Sequence, residues 1–170
     1  MINKKEFTTK MYSAISKGDS SIVLSLIEDN PNLLHIENPF GSWLHVAAEA
    51  GKIEIIELLI SLGVDINSRG GISGGNSLNI ASIEGKLDIV KYLISKGSEL
   101  DISEPERNPL FGAIQYGYID VVRVLIDAGI DTKITYTGQY MKDMDALLFA
   151  NEWGKEEISK LLIKTQTDKT

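Results

Sequence analysis

A segment of about 33 residues recurs along the chain, and this period constrains the fold more than any other feature of the sequence. The segment "WLHVAAEAGKIEIIELLISLGVDIN" at 43–67 returns as "NIASIEGKLDIVKYLISKGSELD" at 79–101 and "FGAIQYGYIDVVRVLIDAGID" at 111–131. An alanine with a glycine four residues later marks each copy, at Ala14/Gly18, Ala47/Gly51, Ala81/Gly85, Ala113/Gly117 and Ala150/Gly154. Successive anchor glycines lie 33, 34, 32 and 37 residues apart. Such a period predicts a stacked solenoid.

Two short helical patterns flank the anchor glycine in each copy. In the second pattern apolar residues recur at the spacing of one helical face, as in "IEIIELL" at 53–59, so each helix must bury that face against neighbours. The anchor glycine supplies the left-handed residue that ends the first helix. A second glycine, Gly63, Gly97 or Gly129, ends the second helix in the same way. Each unit is therefore predicted as turn, helix, turn, helix, turn.

The segment "SWLHVAAEAGKIEIIELLISLGVDIN" at 42–67 resembles the ankyrin repeat, whose pattern is TPLHxAA..G...IV..LL..GAD.N. The later copies keep the Leu, the Ala and the Gly of that pattern. The resemblance implies an all-α ankyrin-repeat solenoid of about five helix-turn-helix repeats with short hairpin fingers. It also implies a hydrogen-bonding structural role for His45 between neighbouring turns.

We expect one domain over residues 1–170. The predicted repeats cover approximately 8–36, 37–70, 71–102, 103–135 and 143–165, with an extended finger at 136–142. The first and last copies fit the pattern least well, as expected for end caps that present one face to water.

The formal net charge of -7 opposes binding to nucleic acid, because phosphate contacts need clustered Lys and Arg. An acidic chain favours a basic protein partner, although the same charge is also explained by a solvated outer face. The sequence contains no cysteine and no apolar stretch that resembles a signal peptide or a membrane span. These features predict a cytoplasmic protein that does not interact with membranes.

The sequence motifs match neither a phosphate-binding loop nor a zinc site. The glycine-rich stretch "RGGISGGNS" at 69–77 lacks the Lys followed by Ser or Thr of a phosphate-binding loop, and in repeat register it is a finger. His35 and His45 are the only histidines, and no carboxylates stand at a zinc-site spacing from them. We predict no catalytic residues, no metal and no cofactor.

A solenoid binds partners on the concave surface built from its fingers and first helices. The positions expected there are the finger residues and the two residues before each anchor glycine, which are Ser16–Lys17, Glu49–Ala50, Ile83–Glu84, Gln115–Tyr116 and Glu152–Trp153. These pairs mix carboxylates with large apolar groups, a composition typical of interfaces. The predicted partner-binding residues are Trp43, Glu49, Ile72, Ile83, Glu84, Glu104, Arg107, Gln115, Tyr116, Tyr136, Tyr140, Met144, Glu152 and Trp153. The alternative for Tyr116 and Trp153 is packing against the next repeat.

The segment "TYTGQYMKDMD" at 135–145 accounts for the 37-residue spacing. Its tyrosines and methionines are typical of adaptable contact surfaces, and the alternative is a local cover over the core of the fourth repeat.

The sequence predicts a non-catalytic module that binds another protein through its concave face and fingers, as a monomer alone and a heterodimer with its partner. One specific version is an immunity or inhibitor protein that neutralises a basic toxin or effector. The alternatives are an adaptor or scaffold in a larger complex and, less favoured, a small-ligand binder or an enzyme.

Overall fold

The computed structural model describes residues 2–36 and 38–167. Those residues form ten α-helices, a 3-10 turn at Pro31–Leu33 and one antiparallel β-hairpin. The helices are α1 (Lys4–Lys17), α2 (Ser20–Asp29), α3 (Trp43–Glu49), α4 (Ile53–Ser61), α5 (Ser77–Ile83), α6 (Leu87–Ser95), α7 (Pro109–Tyr116), α8 (Ile119–Asp127), α9 (Ala146–Glu152) and α10 (Glu156–Thr167). The strands are β1 (Tyr136–Gly138) and β2 (Met141–Met144). The predicted helical solenoid is confirmed, with the β-hairpin added to it.

The helices form two layers. Each odd-numbered helix, or first helix, packs against the second helix that follows it in sequence. Each first helix also packs against the first helix of the next unit, from α1 through α9. The layers follow from the apolar faces, since neither helix of a pair can cover its own face alone.

The three middle first helices, α3, α5 and α7, are short and mostly buried. In α3 all residues from Trp43 to Ala48 are buried, and only Glu49 at its end is exposed. The second helices bury a single face, such as Ile89, Val90 and Leu93 of α6. The inner layer therefore exposes side chains mainly at its helix C-terminal ends, where the pre-glycine residues lie.

The anchor glycines adopt the predicted left-handed conformation, with φ between +64° and +82°. The residue after the anchor glycine of one unit packs its side chain over the anchor glycine of the unit before. These pairs are Lys52 on Gly18, Lys86 on Gly51, Tyr118 on Gly85 and Lys155 on Gly117. The lysine stems cover exposed backbone, and their ammonium groups lie near the C-terminal ends of the preceding first helices, where the helix dipole favours a cation.

In two units, a side chain of the first helix donates a hydrogen bond to the finger that follows that unit. His45 Nδ1 accepts the Ser42 backbone N–H at 3.1 Å, while its Nε2 lies 3.0 Å from the Gly75 carbonyl oxygen and donates to it. This pattern defines a neutral imidazole and confirms the structural role that the motif implied. In the next unit Asn79 makes the equivalent bond, from Nδ2 to the Glu106 carbonyl oxygen at 3.2 Å.

Candidate partner-binding groove

A groove of about 500 Å³ lies between the fingers and the C-terminal ends of the first helices. We call it the inner groove. It is lined by side chains of three fingers and of α3, α5 and α7, including Phe40, Glu49, Ile72, Ile80, Ile83, Glu84, Glu106, Gln115 and Tyr116. Six of these were predicted from the sequence: Glu49, Ile72, Ile83, Glu84, Gln115 and Tyr116.

Three apolar side chains of the groove are exposed to solvent. Ile72 is 95% exposed at the tip of the glycine-rich finger, and Tyr116 is 54% exposed beyond the end of α7's buried segment. Phe40 is 47% exposed, and its ring meets the edge of Tyr12 at 5.7 Å between centroids. Exposed aromatic and aliphatic groups gathered in one concavity are typical of an interaction surface.

The groove contains three carboxylates that form no ion pair within the described chain. Among the residues that the structure describes, Glu49, Glu84 and Glu106 have no Lys, Arg or His nitrogen within 4.0 Å. Burial raises the pKa of Tyr12, and the nearby charge of Glu49 raises it further. The groove therefore presents a negative field around its apolar surface.

The two arginines beside the fingers are occupied elsewhere. Arg69 pairs with Asp101 at 2.8 Å, and Arg107 pairs with Glu104 at 3.5 Å. Burial alone would raise the pKa of Asp101, but two hydrogen bonds from Ser103 and the charges of both arginines hold it below its ordinary value. These arginines fasten the fingers and leave the groove carboxylates unpaired.

A second, smaller cavity of about 190 Å³ adjoins the inner groove, and we call it the socket. Its lining includes Gly112, Met141, Phe149 and Trp153, and it shares Ile83, Glu106 and Gln115 with the groove. A Cβ at position 112 would lie 2.6 Å from Ile83 Cγ1, so glycine is what allows α7 to approach α5 this closely.

Trp153 is held at the mouth of the socket by a row of aromatic rings. Its ring lies 5.7 Å from Phe149, which stacks on Phe111 at 4.5 Å. Phe111 in turn meets Tyr136 edge to face at 5.1 Å. Trp153 nevertheless remains 48% exposed, so it both packs on its own unit and faces solvent.

Two residues predicted on the binding surface lie in the core instead. Trp43 is fully buried because it begins α3 and points toward the first unit, where Nε1 donates to the Leu33 carbonyl oxygen at 3.2 Å. Tyr136 is 9% exposed because its hydroxyl is fixed inside, donating to the Ile102 carbonyl oxygen and accepting from Asn108 Nδ2. The prediction of both as partner contacts is wrong.

The remaining predicted residues lie outside the lining of either cavity. Glu104 and Arg107 form the finger ion pair, and Glu152 is exposed at the end of α9. Tyr140 is 87% exposed in the turn between β1 and β2, while Met144 is half-buried against the core. The segment at 135–145 thus combines the two alternatives, with a buried base that covers the core and an exposed tip.

Phe40, Ile80 and Phe149 line the two cavities but were not predicted from the sequence. Phe40 stands between Pro39 and Gly41, whose turn residues dominated the interpretation of that finger. Ile80 and Phe149 belong to an apolar helical pattern in which groove and core positions have the same composition, so sequence alone does not separate them.

Residues 2–36 and 38–167 contain no group of three or more His, Asp or Glu side chains placed to hold a metal ion. Within the same part of the chain, every helix is too short or too polar to cross a membrane.

Stacked helix pairs with fingers that border an open groove define a repeat protein built to present a surface. The chain belongs to the ankyrin-repeat family: a family model described as ankyrin repeats (3 copies) matches residues 10–104, 44–136 and 78–170. Ankyrin repeats generally mediate protein–protein interaction. No curated protein matches the sequence.

Proposed function

We propose that this protein is a non-catalytic module that binds a basic protein through the inner groove and the fingers around it. The observation that carries the proposal is the conjunction of exposed Phe40, Ile72 and Tyr116 with three unpaired carboxylates in one groove. Apolar anchors supply affinity at interfaces, while unpaired charges select a partner of opposite sign and speed its approach.

The specific version that we favour is a cytoplasmic inhibitor, such as an immunity protein, that forms a one-to-one complex with a basic toxin or effector. Its support is the acidic net charge together with an acidic groove. An adaptor differs in holding two partners at the same time, so the stoichiometry of the complex distinguishes the two functions.

The first test uses Tyr116→Ala and Trp153→Ala. Each should weaken binding by about 2 kcal/mol, because exposed aromatic anchors lose their contact area with the partner. Each should leave the melting temperature nearly unchanged, since both side chains are about half exposed. A large loss of stability would place these residues in the core and remove them from the binding surface.

Tagged wild type and the double variant would be used to capture partners from lysate of the native cells, followed by titration calorimetry with each purified partner. Ile22→Ala is the matched control, since Ile22 is a 48% exposed apolar residue on α2, outside the lining of the groove. Binding that is unaffected by the double variant contradicts the proposed site. Two partners bound simultaneously would favour the adaptor over the inhibitor.

A further inference from the structure

We propose that the inner groove and the socket together recognise one kind of segment: a large apolar side chain close to Lys or Arg residues in a basic protein. The apolar side chain enters the socket, and the cationic groups lie over Glu84, Glu49 and Glu106. This inference rests on the proposed function and adds the chemistry of the partner's contact segment.

The socket has the size of a single side chain. Its 190 Å³ is well below the volume of about 300–1,000 Å³ typical of sites for whole small molecules. Gly112 adds no side chain to its lining, whereas the same position in three other first helices carries Val46, Ile80 or Phe149. A cavity of this volume can hold one large side chain of a partner.

The walls of the socket are apolar and firmly supported. Phe149 and Trp153 form one side, with Phe149 stacked on buried Phe111, and Ile83 and Met141 contribute aliphatic surface. Because the rings already pack on each other, little side-chain freedom is lost when a partner group enters. The favoured entrant is therefore a large aliphatic or aromatic side chain.

The charge next to the socket specifies what must flank that side chain. Glu106 lines the socket and the inner groove, and Glu84 and Glu49 continue the groove toward the N-terminal units. Since none of the three carboxylates has a cation within 4.0 Å in the described chain, an incoming Lys or Arg would gain a partner without displacing one. Tyr116 adds an exposed ring on which a guanidinium can stack.

The same charges disfavour other occupants. An acidic segment would be repelled by three carboxylates, and a wholly apolar segment would bury some of them without compensation. The combination of socket and carboxylates thus selects a mixed apolar and basic sequence.

A phage library of random peptides, selected on the full chain, tests this inference. Clones would be counter-selected on a Glu84→Gln/Trp153→Ala variant, with Glu54→Gln as the matched control because Glu54 is an acid of α4 outside both cavities. Enriched peptides would then be synthesised and titrated against each variant.

The expected result is a motif with a large apolar residue and nearby Lys or Arg. Its affinity should fall about tenfold or more with Glu84→Gln and with Trp153→Ala, and stay unchanged with Glu54→Gln. Replacing the peptide's basic residues with Glu, or its apolar residue with Ala, should have similar effects.

Two different failures are distinguishable. Peptides that need Trp153 and Tyr116 but contain no basic residues would overturn this inference and leave the groove as a binding site. If no peptides are enriched, or if their affinity is the same for the wild type and for every groove variant, both this inference and the proposed function are contradicted.

Discussion

The imidazole of His45 holds two turns together only in its neutral form, because Nδ1 must accept the Ser42 N–H while Nε2 donates to the Gly75 carbonyl. Burial lowers the pKa of His45, and the bond to Gly75 opposes this shift only in part. Since the unfolded value is about 6.5, the unfolded chain binds more protons than the folded chain at mildly acidic pH. The contribution of His45 to stability is therefore present above about pH 6.5 and declines as the pH falls toward the folded-state pKa.

Urea unfolding midpoints at about pH 7.5 and about pH 5 check this expectation. The control is His45→Asn, chosen because Asn79 makes the equivalent bond in the next unit with a side chain that does not titrate. The wild type should lose more stability than His45→Asn between the two conditions. Equal losses would show that His45 is not the group responsible.

Gly85 and Gly154 share a φ of +64° but differ in their surroundings. A Cβ at position 85 would lie 2.6 Å from the Tyr118 ring, whereas nothing lies within 4 Å of one at position 154. We expect Gly154→Ala to cost about 1–2 kcal/mol for the left-handed backbone alone, and Gly85→Ala to cost more.

Chemical denaturation of both variants, and of Gly85→Ala combined with Tyr118→Ala, separates the cost of the left-handed backbone from the cost of the clash with the Tyr118 ring. The double variant should recover part of the Gly85→Ala loss, because removing the ring removes the clash. If Gly85→Ala is no worse than Gly154→Ala, the close packing of Tyr118 on Gly85 is refuted.

At the scale of the element, the β-hairpin of β1 and β2 has a structural base and a free tip. Tyr136 at the base is buried and bonded to Ile102 and Asn108, whereas Tyr140 in the turn is 87% exposed. Tyr136→Phe should cost about 1–3 kcal/mol, because the Ile102 carbonyl and the Asn108 amide each lose a buried hydrogen-bond partner.

Tyr140→Phe is the control for this substitution and should leave the free energy of unfolding nearly unchanged. Both values follow from the same urea denaturation curves. An equal, small effect of the two substitutions would mean that the hairpin does not cover the core through Tyr136.

The elements differ in how well the sequence predicts them. Helix ends were predictable because Gly51 and Gly85 are needed for a left-handed backbone, which leaves a local signal. The direction of a side chain depends on the neighbouring unit and leaves no such signal. Trp43 therefore resembled an interface aromatic in sequence and is buried in the structure, while Phe40 is the exposed ring that lines the groove.

At the scale of the whole molecule, the net charge is -7, and we expect the position of that charge near the groove to govern how quickly a basic partner associates. Replacing Glu84 and Glu152 with Lys should slow association by about tenfold at low salt and flatten its dependence on ionic strength. Stopped-flow measurements across a salt series check this. Glu54→Lys/Glu57→Lys makes the same change in net charge on α4, so an equal effect of both double variants would show that only total charge matters.

In the described part of the chain, side-chain hydrogen bonds between neighbouring units include Tyr12–Asn38 and Tyr136–Ile102, which join residues 26 and 34 positions apart. During synthesis, a unit can therefore form these bonds once about one more unit has left the ribosome. Such a molecule can assemble during translation from its N-terminal end, and each completed unit becomes the surface on which the next one folds.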